Sequence, residues 1–159
     1  ASFITFLLQP YYRNYGKRVV KTPKLLFFDT GLACNLAGLE DAADLMRDER
    51  RGPLFENAVI AELLKRYYAK GRQPKLYYWR DQGKKEVDLI IERGAEPFYA
   101  VEVKSSATFQ TRFFKNLDEV AEVAGVPVER RVVVYAGEQS FETSHGLVLS
   151  VADLGHLVA

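Results

Sequence analysis

The sequence predicts an α/β protein in which helices flank a mixed sheet. From Gly52 onward, the hydrophobic pattern gives a helix, three strands, a second helix and a further strand. The loops that join the three strands are too short to hold a crossover, so these strands are expected to be antiparallel. The later strand follows a helix, which makes the predicted sheet mixed.

The composition is that of an ordinary globular protein, with 159 residues of which 48% are hydrophobic and 27% charged. The single cysteine Cys34 excludes an internal disulfide, and with only His145 and His156 beside it a structural zinc site is not expected. No apolar stretch has the length of a membrane span and no secretory leader opens the sequence, so a soluble, cytoplasmic protein with no membrane partner is expected.

The N-terminal part is predicted to be a connector. Ser2 to Leu8 form an apolar run of strand type, and Leu25 to Phe28 form a short strand that the pattern predicts to be buried. Asp29 or Thr30 is expected to cap a helix that ends at Gly38. Because an apolar run opens the sequence without an initiator Met, we expect residues 1–45 to connect an upstream module to a domain formed by residues 46–159.

The elements of the second part follow from local signals. Pro53 suits a first helical turn, and helical spacing continues from Leu54 to Tyr68 before Gly71. The remaining predictions are strands at 76–80, 86–92, 98–104, 131–135 and 147–149, a helix at 112–124 that ends at Gly125, and a terminal helix at 151–158.

Charge is distributed unevenly along the chain. Residues 47–85 carry eleven basic and five acidic side chains, whereas residues 86–159 carry six basic and twelve acidic ones. This basic region favours a polyanionic partner, DNA in the first place. Tyr11 to Arg18 interleave aromatic and basic side chains, a pattern typical either of single-strand binding or of a connector that packs its rings on a neighbouring domain.

Glu56 has an unusual position on the first long helix. At 100° per residue, five apolar side chains lie within about 80° of it on the helical wheel. They are Val59, Ile60, Leu63, Leu64 and Tyr67. A carboxylate within an apolar stripe needs a cation or a hydrogen-bond partner. Two alternatives explain Glu56, namely a role in a catalytic site and a salt bridge to an arginine such as Arg80 that packs the helix. Glu62 projects to the opposite side of the helix and is expected to be a solvated surface residue.

Two strands bring further carboxylates together. A three-residue loop from Gly94 to Glu96 would pair Arg93 with Pro97, and this register places Asp88 opposite Glu102. Alternation also predicts that Val87, Leu89 and Ile91, with Tyr99, Val101 and Val103, cover the face that does not carry the acids. Facing carboxylates repel each other unless a cation lies between them. Lys104 lies two residues along from Glu102, where it can reach an anionic oxygen.

These residues fit phosphodiester hydrolysis. Taken alone, Asp88, Glu102 and Lys104 are also typical of the surface of a half-exposed sheet, and their combination with Glu56 in an apolar stripe favours a site. Oxygen ligands select hard cations such as Mg²⁺ or Mn²⁺, which commonly bridge a carboxylate and a phosphate oxygen. Asp88 and Glu102 are predicted to hold the metal, Glu56 to complete or orient the site, and Lys104 to stabilise the attacking water or the charge that develops on phosphorus oxygens.

Four segments resemble the motifs of the PD-(D/E)XK nuclease superfamily. They are Gly52 to Glu56, Tyr77 to Arg80, Glu86 to Asp88, and Val101 to Ser106. The resemblance implies a restriction-endonuclease-like core, with a helix, antiparallel strands, a helix and a strand. It also implies metal ligation by Asp88 and Glu102, a catalytic role for Lys104 and a supporting carboxylate at Glu56. Val87 stands where the superfamily name has Pro.

A longer stretch is similar to a domain that prokaryotic AAA-type ATPases carry behind their ATPase module. It comprises Phe6 to Arg18 and Pro23 to Leu32. This similarity implies an upstream ATPase as a partner. The sequence itself has no Gly-x-x-x-x-Gly-Lys-Ser/Thr motif, so ATPase activity is not expected of these residues. The sequence thus predicts a Mg²⁺-dependent DNA nuclease-like domain. The alternative is a module of the same fold, with weak or no catalysis, that binds DNA or the ATPase.

Overall fold

A computed structural model describes residues 3–12 and 19–158 of the chain, which form a mixed α/β fold around one eight-stranded sheet. The strands are β1 (Thr5–Pro10), β2 (Lys24–Phe27), β3 (Lys75–Arg80), β4 (Glu86–Arg93), β5 (Glu96–Lys104), β6 (Arg131–Tyr135), β7 (Phe141–Thr143) and β8 (Gly146–Ser150). The α-helices are α1 (Thr30–Leu36), α2 (Ala42–Arg47), α3 (Arg51–Ala69) and α4 (Lys115–Ala124), and 3-10 helices cover Thr111–Phe114, Val128–Arg130 and Val151–Val158.

The sheet has the strand order β2-β1-β3-β4-β5-β6-β8-β7. Strands β3, β4 and β5 form the predicted antiparallel meander. The chain then crosses through α4 to β6, which pairs in parallel with β5, and β8 pairs in parallel with β6. The prediction of a mixed sheet flanked by helices is confirmed.

Each long helix covers one face of the sheet. Side chains of α3, among them Ile60 and Leu63, pack with Leu89, Ile91 and Val101 in one core cluster. Leu117 and Val120 of α4 pack with Val87, Ile90 and Ala100 in the other. Gly125 ends α4 with a φ of 74°, a left-handed conformation that glycine adopts at little cost.

The N-terminal segment belongs to the same sheet. Strand β1 pairs antiparallel with β2 and parallel with β3, so β2 is an edge strand. The strand predicted at Leu25 to Phe28 is present at Lys24–Phe27, and Leu26 is buried in the core as predicted. The prediction was wrong for Leu25, which points to the opposite face of the sheet and is 61% exposed. Asp29 caps α1 as predicted, by accepting a hydrogen bond from the Leu32 amide at 3.1 Å.

The hairpin between β4 and β5 is tighter than predicted. Arg93 pairs with Glu96 and not with Pro97, because the turn has two residues and Gly94 adopts a φ of 64°. An extra residue on β5, Phe98, then restores the predicted register. Leu89 pairs with Val101, and continuing this register by one residue sets Asp88 opposite Glu102.

A second bulge interrupts β4 at the carboxylates. Tyr77 pairs with Ile90 and Trp79 with Val87, so Asp88 and Leu89 together face Tyr78. The extra residue shifts the alternation. The predicted apolar face is therefore wrong at Val87, which packs in the α4 cluster, whereas Leu89 and Ile91 pack under α3.

Three elements were not predicted, namely helix α2, the 3-10 helix Val128–Arg130 and strand β7. The terminal helix predicted at 151–158 is present but has 3-10 geometry. Throughout the described ranges, the helices are too short or too polar to cross a lipid bilayer.

Candidate metal centre

Three carboxylates meet where α3 packs beside β4. Glu56 lies near the start of α3, and Glu86 and Asp88 lie on β4. Each offers one oxygen, and these oxygens lie within 4.8 Å of one another. We call Glu56, Glu86 and Asp88 the carboxylate cluster. The bulge in β4 matters here, because it lets acids of β4 meet a residue of the helix that covers Leu89 and Ile91.

Asp88 is the most enclosed member of the carboxylate cluster, at 9% exposed. Its Oδ2 accepts a hydrogen bond from the backbone amide of Val103 at 2.7 Å. Burial, followed by the negative charges of Glu102 and Glu56, raises the pKa of Asp88 well above its ordinary value. Without a cation, ionisation of Asp88 is therefore costly.

Glu102 and Lys104 form an ion pair beside the carboxylate cluster. Lys104 Nζ lies 2.6 Å from Glu102 Oε1. Glu102 Oε2 is buried and makes no hydrogen bond within the described residues. Burial raises the pKa of Glu102. The ion pair with Lys104 lowers this pKa in part, whereas the negative charges of Glu86 and Glu56 raise it further. Glu102 thus keeps one free acceptor atom in a strongly acidic environment.

Lys104 remains a cation in this environment. Burial alone would lower the pKa of Lys104, but its ion pair with Glu102 and the charges of Asp88 and Glu56 outweigh burial and raise this pKa. A lysine with a raised pKa is a poor general base at neutral pH. It is suited to electrostatic stabilisation of negative charge.

Lys24 of β2 is a further member of the site, and the sequence did not reveal it. Its Nζ lies 2.7 Å from Glu56 Oε1, contacts Glu86 Oε1, and sits 4.9 Å from the centre of the Tyr78 ring. Burial would lower the pKa of Lys24, but Glu56 and Glu86 outweigh that effect and raise it. One ammonium group therefore bridges two of the three carboxylates.

The ion pairs correct the predicted partner of Glu56. Arg80 pairs with Glu86, at the opposite oxygen from Lys24, and Glu56 pairs with Lys24. The predicted alternative of a salt bridge from Glu56 to Arg80 was therefore wrong, because the partner of Glu56 is Lys24. Glu62 pairs with Arg66 on its own helix, as a residue outside the site.

Asn57 fixes the strand that carries Lys24. Its Oδ1 accepts from the Phe27 amide at 2.7 Å, and its Nδ2 donates to the Phe27 carbonyl at 2.9 Å and to Thr30 Oγ1 at 3.0 Å. Asn57 is 5% exposed and follows Glu56 directly on α3. It thereby holds β2 beside the start of the helix.

The four predicted site residues thus lie in one region. Glu56 and Asp88 belong to the carboxylate cluster, and Glu102 and Lys104 lie beside it and interact with it electrostatically. Glu86 joins the cluster, a residue that the sequence placed on the acidic strand face without a role.

The aromatic and basic N-terminal segment is described only in part. Tyr11 is buried and Tyr12 is 64% exposed. Arg13, Tyr15, Lys17 and Arg18, the other side chains considered for base stacking and phosphate contacts, lie outside the described residues.

The profile of a protein family described as "Domain of unknown function (DUF4143)" matches residues 51–154, which include the carboxylate cluster and Lys104. This chain belongs to that family. DUF4143 domains occur at the C termini of AAA-type ATPase-like proteins, so the predicted link to such a C-terminal domain is confirmed. A second profile, "Domain of unknown function (DUF8612)", matches residues 1–43, which include Lys24.

Two curated relatives of this DUF4143 chain are mycobacterial. "Uncharacterized protein Mb2031c" of Mycobacterium bovis and "Uncharacterized protein Rv2008c" of Mycobacterium tuberculosis are each 33% identical to it over 147 residues. The match covers 92% of this chain and 31% of each relative, so the chain spans about a third of their length. No solved structure gives a significant match to it.

Proposed function

We propose that this domain hydrolyses phosphodiester bonds of DNA with Mg²⁺ or Mn²⁺, as a member of the PD-(D/E)XK nuclease superfamily with a restriction-endonuclease-like core. The observation that carries the proposal is the carboxylate cluster, whose three oxygens lie within 4.8 Å of one another. The order of α3, the β3-β4-β5 meander, α4 and β6 is the order that the resemblance implies.

The residues present suit a hard divalent cation. Carboxylate oxygens are the ligands that Mg²⁺ and Mn²⁺ prefer. Mutual repulsion between Asp88, Glu102 and Glu56 is one cause of the raised pKa of Asp88, and a cation would relieve that repulsion. Asp88, Glu86 and Glu56 are the proposed ligands. Glu102, which the sequence also predicted as a ligand, lies beside this group and holds Lys104.

Each residue has a defined part in this proposal. A bound Mg²⁺ would polarise a phosphoryl oxygen and favour ionisation of an attacking water. Lys104, charged and held by Glu102, donates to an anionic phosphate oxygen and stabilises the charge that develops there. The hydrogen bond from the Val103 amide keeps the Asp88 carboxylate in place while the phosphodiester bond is hydrolysed.

The proposed partners are DNA and an ATPase in the same polypeptide. The family occurs behind AAA-type ATPase-like modules, and the matched relatives are about three times as long as this chain. We assign residues 46–159 to the nuclease-like domain and the connection with that module to residues 1–45, whose strands β1 and β2 extend the sheet of the domain. ATP hydrolysis upstream would then control access to DNA.

A binding module of the same fold is the second candidate. It is favoured by the exposed apolar side chains of β1 and β2, where Leu7 and Leu25 are directly paired and 56% and 61% exposed. An apolar patch on an edge hairpin suits contact with a neighbouring domain. Under this hypothesis the domain binds the ATPase or DNA, and its catalytic activity is weak or absent.

Cleavage assays separate the two candidates. The chain, alone and in its full-length ATPase context with ATP, is incubated with plasmid DNA and Mg²⁺ or Mn²⁺. We expect cutting that EDTA abolishes and that Lys104→Ala greatly reduces while DNA and Mn²⁺ binding persist. Lys115→Ala, which removes an exposed lysine at the start of α4, is the control and should cut normally. Salt-sensitive DNA binding without metal-dependent cutting in either context would favour the binding module.

A further inference from the structure

The position of Lys24 raises the question of how a metal ion enters the carboxylate cluster. Its ammonium group contacts Glu56 Oε1 and Glu86 Oε1, each on a different element. The Lys24 side chain is 18% exposed, as are those of Glu56 and Glu86. The cluster therefore already contains a cation, and that cation is covalently part of the chain.

An ammonium group and a divalent cation compete for these oxygens. Both need close contact with the same carboxylates, and two cations within a few ångströms of each other repel strongly where solvent screening is low. The hydrogen bonds from Lys24 are charge-assisted, which makes them stronger than neutral ones. Repulsion from a bound divalent cation therefore favours release of the Lys24 ammonium from Glu56 and Glu86.

The surroundings of Lys24 allow its side chain to move away from Glu56 and Glu86 while strand β2 stays paired with β1. Asn57 holds the backbone at Phe27, three residues further along the chain. Strand β2 is the sheet edge, and the four-carbon stem of lysine is flexible. A swing of the side chain toward solvent would free both carboxylates without breaking the pairing of β2 with β1.

We propose that Lys24 is an internal competitor of the divalent cation, which occupies the Glu56 and Glu86 ligand positions and keeps the metal-free site closed. This proposal rests on the metal site proposed above and adds its regulation. The competitor lies in the N-terminal segment matched by a separate family profile, whereas the ligands lie in the DUF4143 segment. Metal loading thereby becomes dependent on the N-terminal segment.

Titration calorimetry with Mn²⁺ tests the competition. Lys24→Met keeps an unbranched apolar stem but removes the ammonium. We expect its Mn²⁺ affinity to exceed that of the unmodified chain by about tenfold or more, because charge-assisted hydrogen bonds no longer have to break. Lys21→Met makes the same charge change at an exposed site, and should alter the affinity by no more than about twofold.

The outcomes distinguish this proposal from the proposed function. Equal Mn²⁺ affinity in Lys24→Met and the unmodified chain would overturn the competition and leave the metal site standing. If neither protein binds Mn²⁺ at the carboxylate cluster, both the metal site and the competition are wrong.

A second measurement needs no variant at Lys24. Lysines of the unmodified chain are acylated with and without Mn²⁺, and the extent of modification at each lysine is read by mass spectrometry. Displacement by Mn²⁺ should increase acylation of Lys24 and leave exposed Lys21 unchanged. If Mn²⁺ binds and the acylation of Lys24 does not rise, the ammonium has not moved and the proposal fails.

Discussion

Asp88 accepts a hydrogen bond from the backbone amide of Val103, with 2.7 Å between Asp88 Oδ2 and the Val103 nitrogen. The side chain thereby takes a backbone donor of the neighbouring strand, at the point where two residues of β4 face Tyr78 alone. This contact fixes the position of a buried carboxylate whose other neighbours are mostly acids. The Asp88 carboxylate is therefore held in place in the metal-free chain.

Asp88→Asn should stabilise the metal-free chain. Asparagine keeps an oxygen that can accept from Val103, but it removes a negative charge next to Glu102 and Glu56. We expect the melting temperature in EDTA to rise by about 2–4 °C, the effect of about 1 kcal/mol in a domain of this size. Thermal unfolding followed by circular dichroism measures it. A lower melting temperature would show that the charge itself stabilises the metal-free fold.

The pH dependence of stability should also report on Asp88. Its pKa is higher in the folded chain than in the unfolded one, where the ordinary value is 3.8. Its contribution to stability is therefore complete below pH 3.8 and is lost as the pH rises through the raised folded value. Urea unfolding in EDTA should show a smaller loss of stability with rising pH in Asp88→Asn than in the unmodified chain. Identical slopes would contradict the raised pKa.

Mn²⁺ affinity should depend on Glu86 as well as on Glu56. Glu86→Gln and Glu56→Gln each remove a charged ligand of the carboxylate cluster, and we expect each to weaken Mn²⁺ binding by about tenfold or more. Glu62→Gln on the same helix is the matched control, because Glu62 pairs with Arg66 away from the cluster. Calorimetry would contradict this assignment if all three variants bound Mn²⁺ equally.

Asn57→Leu should destabilise the fold through β2. The change leaves the Phe27 amide and carbonyl without their side-chain partner, which costs about 2 kcal/mol or more if water does not replace it. Urea unfolding measures the loss. Thr30→Val is a milder comparison, because it removes only the third hydrogen bond of Asn57. A stability of Asn57→Leu equal to that of Thr30→Val would mean that the contacts with Phe27 do not hold β2.

Much of the fold followed from local signals in the sequence. The alternation in β5, the helical spacing in α3 and the stop at Gly125 gave the meander and both covering helices. The pairing of Asp88 with Glu102 was predicted through a hairpin that is one residue too long. The predicted register returns from Tyr99 onward because Phe98 is an extra residue, and the last observed pair, Leu89 with Val101, directly adjoins Asp88 and Glu102.

The missing parts of the site depend on contacts between distant residues. Lys24 is 32 residues from Glu56 and 62 from Glu86, and its strand lies at the edge of the sheet through pairing with β1. The bulge opposite Tyr78 has no glycine or proline to indicate it. Strict alternation therefore could not show that Glu86 and Asp88 meet the helix that carries Glu56.

Anomalous diffraction from a crystal of the chain soaked in Mn²⁺ would test the metal centre most directly. We expect an anomalous peak within coordination distance of Asp88 and Glu86, with the Lys24 ammonium displaced from Glu56. A crystal in which Lys24 still bridges Glu56 and Glu86, and in which no Mn²⁺ peak lies among the carboxylates, would contradict it.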